Sequence, residues 1–259
     1  MVSIYTTSPN LAEFETEIQI QQEAQYDLID VEYADGEWIG VFSDLLEPNS
    51  SNLTPSSTYS HSDDFDTFIE GVTQTWDLGY DLVNVEYANG TWFGTYNDNY
   101  GSTAYSYNPD FDELTGQIQA RWEAGYDLID IEYADGTWFA SFGDNIGGSG
   151  YSSNSNFDEF TEQIQTNAEQ GLDLVSVDYA DGYWIGVFGD TSRNSNYLLS
   201  EDFSQLETQI AEQQSLGYNL IDLEYADGSW MAVVNNSPTT NDNDLYNRFY
   251  DYNVSLGFF

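Results

Sequence analysis

Acidic side chains recur at fixed positions along the chain, and their type and spacing give them the clearest potential for chemistry. One position of a repeated apolar segment is always acidic, and it holds Glu32, Glu86, Glu132, Asp178 and Glu224. The position two residues earlier holds Asp30, Asn84, Asp130, Ser176 and Asp222. Residues two apart in a β-strand point to the same face of the sheet, so both sets would line one face. Calcium takes about six to eight oxygen ligands, many of them carboxylate oxygens. The sequence therefore predicts divalent-cation sites, with calcium as the cofactor and these candidate ligands: Asp30, Glu32, Glu86, Asp130, Glu132, Asp178, Asp222 and Glu224.

A solvated strand face is the alternative interpretation of the same carboxylates. No segment matches the EF-hand loop or the glycine-rich nonapeptide of calcium-binding β-rolls. The prediction therefore rests on the arrangement of charge and not on a metal-binding motif.

Other catalytic chemistry has little support in the sequence. The chain has no cysteine and no lysine, and its one histidine, His61, lies outside the repeated pattern. No nucleophile elbow, phosphate-binding loop or zinc motif is present. Paired carboxylates can hydrolyse glycosides, but a catalytic pair is normally unique, whereas these carboxylates recur throughout the chain. We therefore predict that the protein is not an enzyme.

The charge of the chain excludes several classes of partner. The 259 residues include 46 acidic residues and only three arginines, which gives a formal net charge of -43. Disorder is not expected, because 40% of the residues are hydrophobic and 17% are aromatic. Because the chain has so few cationic side chains, we expect it to bind neither nucleic acid nor an anionic membrane surface.

The elements that position the carboxylates follow from an internal repeat. The sequence Tyr-Ala-Asp-Gly-x-Trp, with Asn for Asp once, occurs five times, and its tryptophans are 54, 46, 46 and 46 residues apart. A fixed period of this size is typical of repeat architectures, in which each unit packs on its neighbours. The chain reads as one repeat domain over 1–259, with approximate units 1–44, 57–98, 103–144, 149–190 and 195–236. The segment 237–259 would be a capping or closing strand, or a C-terminal secretion signal.

Each unit contains signals for one helix and three strands. Good N-cap residues begin each helix: Asn10, Asp64, Asp110, Asn156 and Asp202. Glycine ends four of the helices, and Gln25 occupies that position in the first unit, where we expect a poorer cap. A hairpin with an Asp-Gly turn follows, in which Tyr33 pairs with Trp38 and the face with Ile29, Val31 and Trp38 meets the core. A tyrosine-containing strand precedes each helix. The fold class is thus α+β, arranged as a closed, propeller-like ring or a short superhelix.

Two tryptophans lie outside the pattern shared by all units. Trp76 and Trp122 are on the predicted helices, away from the common apolar stripe. They are the candidates for an exposed ligand contact, such as stacking on a sugar ring. The hairpin tryptophans are expected to be core residues.

The segment Trp122 to Asp130, with the return strand Trp138-Phe139-Ala140, is similar to a family of bacterial tandem repeats. Those repeats have a helix, Gly-Tyr, strand, turn and strand with a tryptophan-rich hairpin. The segment also resembles repeat modules found beside some bacterial and plant kinase domains. The resemblance covers each unit, roughly 1–236, and implies a non-catalytic binding or scaffold role. It carries no catalytic residue to this chain.

These observations together predict a non-enzymatic, acidic, extracellular or cell-surface repeat protein with a structural or binding role. Divalent cations, calcium above all, would stabilise or assemble it, with a second copy or a surface glycan as further partners. The N-terminus has no basic or apolar leader, so export would proceed without a cleaved N-terminal signal. A multivalent glycan-binding module and an intracellular interaction scaffold are the alternatives, and the latter would be cytoplasmic.

Overall fold

A computed structural model describes residues 2–44, 56–98, 102–144, 149–191 and 193–236. These segments form five units with the order strand, helix, strand, strand, which confirms the predicted repeat architecture and α+β class. The helices, each of 13 residues, are α1 (Leu11–Glu23), α2 (Phe65–Asp77), α3 (Phe111–Glu123), α4 (Phe157–Glu169) and α5 (Phe203–Ser215). The predicted closing strand or secretion signal at 237–259 lies outside the described residues.

Each unit contributes one three-stranded antiparallel sheet, and the third strand of the unit in chain order lies in the middle of that sheet. The first strands are β1 (Ser3–Ser8), β4 (Ser57–Ser62), β7 (Thr103–Asn108), β10 (Ser149–Asn154) and β13 (Ser195–Ser200). The second strands, named here the acidic strands, are β2 (Asp27–Ala34), β5 (Asp81–Ala88), β8 (Asp127–Ala134), β11 (Asp173–Ala180) and β14 (Tyr218–Ala226). The return strands are β3 (Glu37–Ser43), β6 (Thr91–Asn97), β9 (Thr137–Gly143), β12 (Tyr183–Gly189) and β15 (Ser229–Asn236). Among these fifteen strands no hydrogen-bonded ladder joins two sheets, so the sheets do not form a continuous barrel.

The helix and hairpin signals in the sequence are confirmed in the structure. Every predicted N-cap accepts a hydrogen bond from the backbone N–H three residues on, as Asn10 Oδ1 does from Glu13 N at 3.0 Å. In the first hairpin Tyr33 pairs with Trp38. Asp35 and Gly36 have φ angles of 53° and 86°, the left-handed pair that a two-residue type I′ turn requires.

The predicted core face of the hairpin is wrong at one residue, Ile29. Each acidic strand carries a β-bulge, which in β2 falls between Leu28 and Asp30. The extra residue reverses which side chains face the unit's own core. Leu28 and Val31 therefore lie in that core with Trp38, whereas Ile29 packs against the core of the fifth unit.

No unit completes its hydrophobic core alone. In the first core Phe14, Trp38 and Phe42 are fully buried, and Trp38 stacks on Phe14 with ring centroids 5.7 Å apart. Ile18, Leu28 and Val31 of the same unit are buried with them, and the neighbouring hairpin supplies the rest. The five cores receive, in unit order, Ala88 and Phe93; Ala134 and Phe139; Ala180, Ile185 and Val187; Ala226, Met231 and Val233; and Ala34, Ile39 and Val41. The fifth core is thus completed by residues of the first unit.

None of the five described helices is long and apolar enough to cross a membrane.

The C-terminal turn of α1 provides a test of backbone strain. Gln25 has a φ of 68°, whereas glycine occupies the equivalent left-handed position in the other units, for example Gly125 at 89°. A side chain at a left-handed position costs about 1 kcal/mol. We expect Gln25→Gly to raise the free energy of unfolding by up to about that amount, as measured by urea denaturation.

The reciprocal variant is Gly125→Ala. A Cβ at Gly125 would meet no atom within 4 Å, so only backbone strain opposes it. We expect this variant to be destabilised to a similar extent. A Gln25→Gly protein no more stable than the parent would contradict the prediction.

Candidate functional site

The five acidic strands lie side by side in unit order. β2 contacts β5, β5 contacts β8, β8 contacts β11, β11 contacts β14, and β14 contacts β2. All eight predicted metal ligands therefore come together in one cluster, named here the central carboxylate cluster: Asp30, Glu32, Glu86, Asp130, Glu132, Asp178, Asp222 and Glu224. Its members form an Asp layer, at the positions of Asp30, and a Glu layer, two residues further along each strand.

The Asp layer joins neighbouring units through backbone hydrogen bonds. Asp30 Oδ2 accepts from Leu223 N of the fifth unit at 3.0 Å. Asp130 Oδ2 accepts from Val85 N at 3.0 Å, and Asp222 Oδ2 accepts from Val177 N at 2.6 Å. In each case the aspartate of one unit accepts a hydrogen bond from the acidic strand of a neighbouring unit.

Asn84 and Ser176 occupy this position in the second and fourth units. Asn84 Nδ2 donates to Asp30 Oδ1 at 3.2 Å, and Ser176 Oγ lies 3.5 Å from Asp130 Oδ1. Both side chains thus satisfy aspartate oxygens of the same layer. The Asp layer is therefore a structural network with three carboxylates instead of five.

The Glu layer divides into two parts. Glu32 and Glu224, from the first and fifth units, lie close enough for the carboxyl group of each to change the pKa of the other. On the other side, Glu86, Glu132 and Asp178 each offer a carboxylate oxygen, and these three oxygens lie within 4.8 Å of one another. Asp178 is buried, and the two glutamates are partly buried.

Burial dominates the electrostatics of the central carboxylate cluster. Burial raises the pKa of Glu32 to about 7 and the pKa of Asp130 to about 6. The pKa of Glu86 is raised well above its usual value by burial and then by the charges of Glu32 and Glu132. The same two causes, burial and neighbouring carboxylates, raise the pKa of each of the others: Asp30, Glu132, Asp178, Asp222 and Glu224. The folded protein therefore resists full ionisation of this cluster.

One buried oxygen of the cluster has no N–H or O–H donor within the described part of the chain. Asp178 is only 8% exposed, its Oδ2 atom accepts no hydrogen bond, and its carboxyl group lies beside that of Asp130. Lysine is absent from the sequence, and Arg121 is engaged at the outer strand β7, where its Nη2 donates to Tyr105 O at 2.8 Å. A buried carboxylate oxygen without a donor is costly unless a proton or a cation meets it. The donor set and the unpaired oxygen thus fit an oxygen-coordinated divalent cation.

Trp76 and Trp122, the predicted ligand contacts, lie at the joints between units. Both are partly buried, and each packs on a tyrosine of the next unit. Trp122 Nε1 donates to Ser149 Oγ at 2.9 Å, whereas Trp76 Nε1 is buried without a partner among the described residues. These contacts indicate that both tryptophans pack the joints between units, and they favour that role over contact with a sugar.

Sequence reasoning did not identify the residues that connect the units. Gln22 Nε2 donates to Ser57 O at 2.9 Å, and Gln214 Nε2 donates to Ser3 O at 2.8 Å. The repeat places Gln22, Trp76, Trp122 and Gln214 at one position, but only the structure shows that their different side chains all contact the first strand of the next unit.

Comparison with known proteins adds no relative to this picture. The chain matches no known protein family and has no significant match among curated proteins.

The central carboxylate cluster leads to an unusual dependence of stability on pH. Glu32 and Asp130 have pKa values of about 7 and about 6 in the folded protein, against usual values of 4.5 and 3.8. Between those limits the folded state binds more protons than the unfolded state, so stability is lost as the pH rises. We expect the melting temperature, measured in chelator, to fall between about pH 5 and about pH 8.

Glu32→Gln tests whether the cluster is the origin of this effect. The amide cannot ionise, so we expect a shallower fall in melting temperature with pH than in the parent protein. Glu123→Gln is the matched control, because Glu123 is exposed and lies at the end of α3. Equal pH profiles for the parent and both variants would show that the overall surface charge, and not the cluster, sets the dependence.

Proposed function

We propose that this protein is a non-enzymatic structural or binding ring whose central carboxylate cluster holds a divalent cation, calcium by preference. The observation that carries the proposal is that carboxylate oxygens of Glu86, Glu132 and Asp178 lie within 4.8 Å of one another, and that one buried Asp178 oxygen has no hydrogen-bond donor among the described residues. Three different units supply these oxygens. A cation bound there would join units 2, 3 and 4 and would neutralise charge on the three carboxylates.

Ring closure is supported by the contacts between the fifth and first units. Tyr5 Oη donates to Glu207 Oε1 at 2.5 Å, and Leu220 N donates to Ser3 Oγ at 2.7 Å. The second of these repeats a bond of the joint between units 1 and 2, where Leu28 N donates to Ser57 Oγ at 3.0 Å. A superhelix would leave the fifth core open, without the residues that the first unit contributes.

A pair of glutamine variants distinguishes a closed ring from an open array in solution. Gln22→Ala breaks the joint between units 1 and 2, and Gln214→Ala breaks the equivalent contact between units 5 and 1. In a ring we expect both variants to lose about 0.5–1.5 kcal/mol of unfolding free energy, the usual net value of one hydrogen bond. Urea denaturation measures the loss.

The exposed Gln74 supplies the control, since Gln74→Ala is expected to be neutral. In an open array Gln214 would have no neighbour to bond. A Gln214→Ala protein as stable as the Gln74→Ala control, alongside a destabilised Gln22→Ala protein, would therefore overturn ring closure.

The spacing of the three oxygens suits calcium. Calcium–oxygen bonds are about 2.3–2.6 Å long, so two ligand oxygens on one ion lie no more than about 5 Å apart. The remaining ligands would be second carboxylate oxygens and water, which the partly buried glutamates allow. Calcium sites of extracellular modules are typically weak, with dissociation constants of about 0.1–1 mM. Such a site agrees with an extracellular or cell-surface location for a chain of this charge.

Calcium should raise the thermal stability selectively. A ligand that binds only the folded state stabilises it by about 1.4 kcal/mol at a tenfold excess over its dissociation constant. We expect millimolar calcium to raise the melting temperature well beyond magnesium, or sodium chloride of matched ionic strength. Circular dichroism follows the transition.

Glu132→Gln separates coordination from screening. We expect this variant to be at least as stable as the parent in chelator, because one buried like charge is removed, and to lose most of the calcium-specific rise. Glu123→Gln changes the net charge equally and should keep the full rise. An identical response to sodium chloride and calcium in the parent protein would refute the cation site.

A further inference from the structure

One helix position spans the joint between successive units, and its occupants differ. It holds Gln22, Trp76, Trp122, Ala168 and Gln214 in units 1 to 5. In four units a long side chain extends from the helix to the first strand of the next unit. Ala168 cannot do so, because it has only a methyl group.

The joint between units 4 and 5 contains a cavity where that side chain is missing. The cavity has a volume of about 240 Å³ and lies between α4, β11 and the following strand β13. Its walls include Ile164, Ala168, Leu172, Leu174, Ser195 and Tyr197. We name it the Ala168 cavity.

The hydroxyl group in this wall has an acceptor position to spare. In the joint between units 3 and 4, Ser149 Oγ accepts two hydrogen bonds, from Leu128 N at 2.6 Å and from Trp122 Nε1 at 2.9 Å. In the Ala168 cavity, Ser195 Oγ accepts the equivalent backbone bond from Leu174 N at 2.7 Å. The second bond is missing within the described residues, since Ala168 has no donor.

The aromatic wall is also retained. Trp122 stacks on Tyr151 with ring centroids 6.4 Å apart and an interplanar angle of 29°. Tyr197 occupies the equivalent position in the fifth unit and lines the Ala168 cavity. The indole ring of Trp122, in the joint between units 3 and 4, therefore shows which kind of group fits between walls of this type.

We propose that the Ala168 cavity binds a small planar aromatic molecule bearing one N–H donor, of the indole class. The ring packs between Tyr197 and the aliphatic side chains of Ile164 and Leu174, and its N–H donates to Ser195 Oγ. The volume is below the roughly 300–1,000 Å³ typical of sites for drug-sized ligands, so the cavity takes a single fused ring system. This site is independent of the central carboxylate cluster.

Isothermal titration of the full-length protein with indole tests the proposal. We expect one binding site per chain. Ala168→Trp fills the cavity with a covalent indole, so we expect it to abolish binding and to raise the melting temperature. Ala168→Gln should likewise abolish binding, by restoring the contact that Gln22 and Gln214 make.

Trp122→Ala provides the complementary variant, because it empties the equivalent joint between units 3 and 4. We expect the binding stoichiometry to rise from one to two and indole to recover part of the lost thermal stability. Indene, which has the shape of indole without the N–H group, should bind the parent protein about five- to tenfold more weakly. Ser195→Ala should remove this preference for indole over indene.

Three results would overturn the proposal. The first is the absence of heat or thermal stabilisation with indole at millimolar concentration. The second is unchanged indole affinity in both Ala168→Trp and Ala168→Gln, which would place binding elsewhere. The third is equal affinity of the parent protein for indole and indene, which would remove the role of Ser195.

Discussion

The fold depends on one packing constraint: each hydrophobic core is closed by the hairpin of the neighbouring unit. Phe14 and Trp38 fill the interior of the first core, but Ala88 and Phe93 complete it from the second unit. The side of the hairpin that faces away from its own helix is therefore not a surface. It is half apolar, with Ile39 and Val41 packed on the neighbour, and half acidic, with Asp30 and Glu32 turned to the centre. Packing units through this face brings the carboxylates together whether or not their charges favour it.

The cost of gathering carboxylates is met differently in the two layers. The Asp layer uses aspartates as acceptors for backbone N–H groups of a neighbouring unit, and it replaces two of the five carboxylates by Asn84 and Ser176. The Glu layer has fewer hydrogen-bond donors from the protein. Its carboxyl groups are therefore stable only when they are protonated or neutralised by a cation, as the raised pKa values of Glu32 and Glu86 indicate. A buried group of like charges is tolerated only when its charge is neutralised or its hydrogen bonds are made. The proposed calcium site uses the part of the cluster where protein donors are scarce.

The joints show how a repeat protein acquires individual sites on a common frame. A single helix position carries glutamine, tryptophan or alanine, and the first strand of the next unit presents a serine in four of the five joints. Glutamine and tryptophan close the joint from within the chain. Alanine leaves the same polar and aromatic walls with nothing between them, which is why a ligand resembling the missing side chain is the proposed occupant. The proposed ligand site thus lies where the repeat deviates, whereas the proposed cation site uses a position that is acidic in every unit.

Local signals in the sequence determined much of this protein. The period, the five N-caps, the Asp-Gly turns and the core position of the hairpin tryptophans follow from short-range rules of backbone hydrogen bonding and hydrophobic patterning, and the acidic positions could be identified as one set. The β-bulge was not predictable, because an extra residue in a ladder leaves the alternation of apolar residues almost unchanged while it turns Ile29 towards another unit. Only the tertiary structure decided that Glu86, Glu132 and Asp178 meet, that Trp76 and Trp122 lie at joints and that Ala168 leaves a cavity. The physical reason is that each of these features joins different units, and distances between units are set by how hairpin faces pack and not by the spacing of residues along the chain.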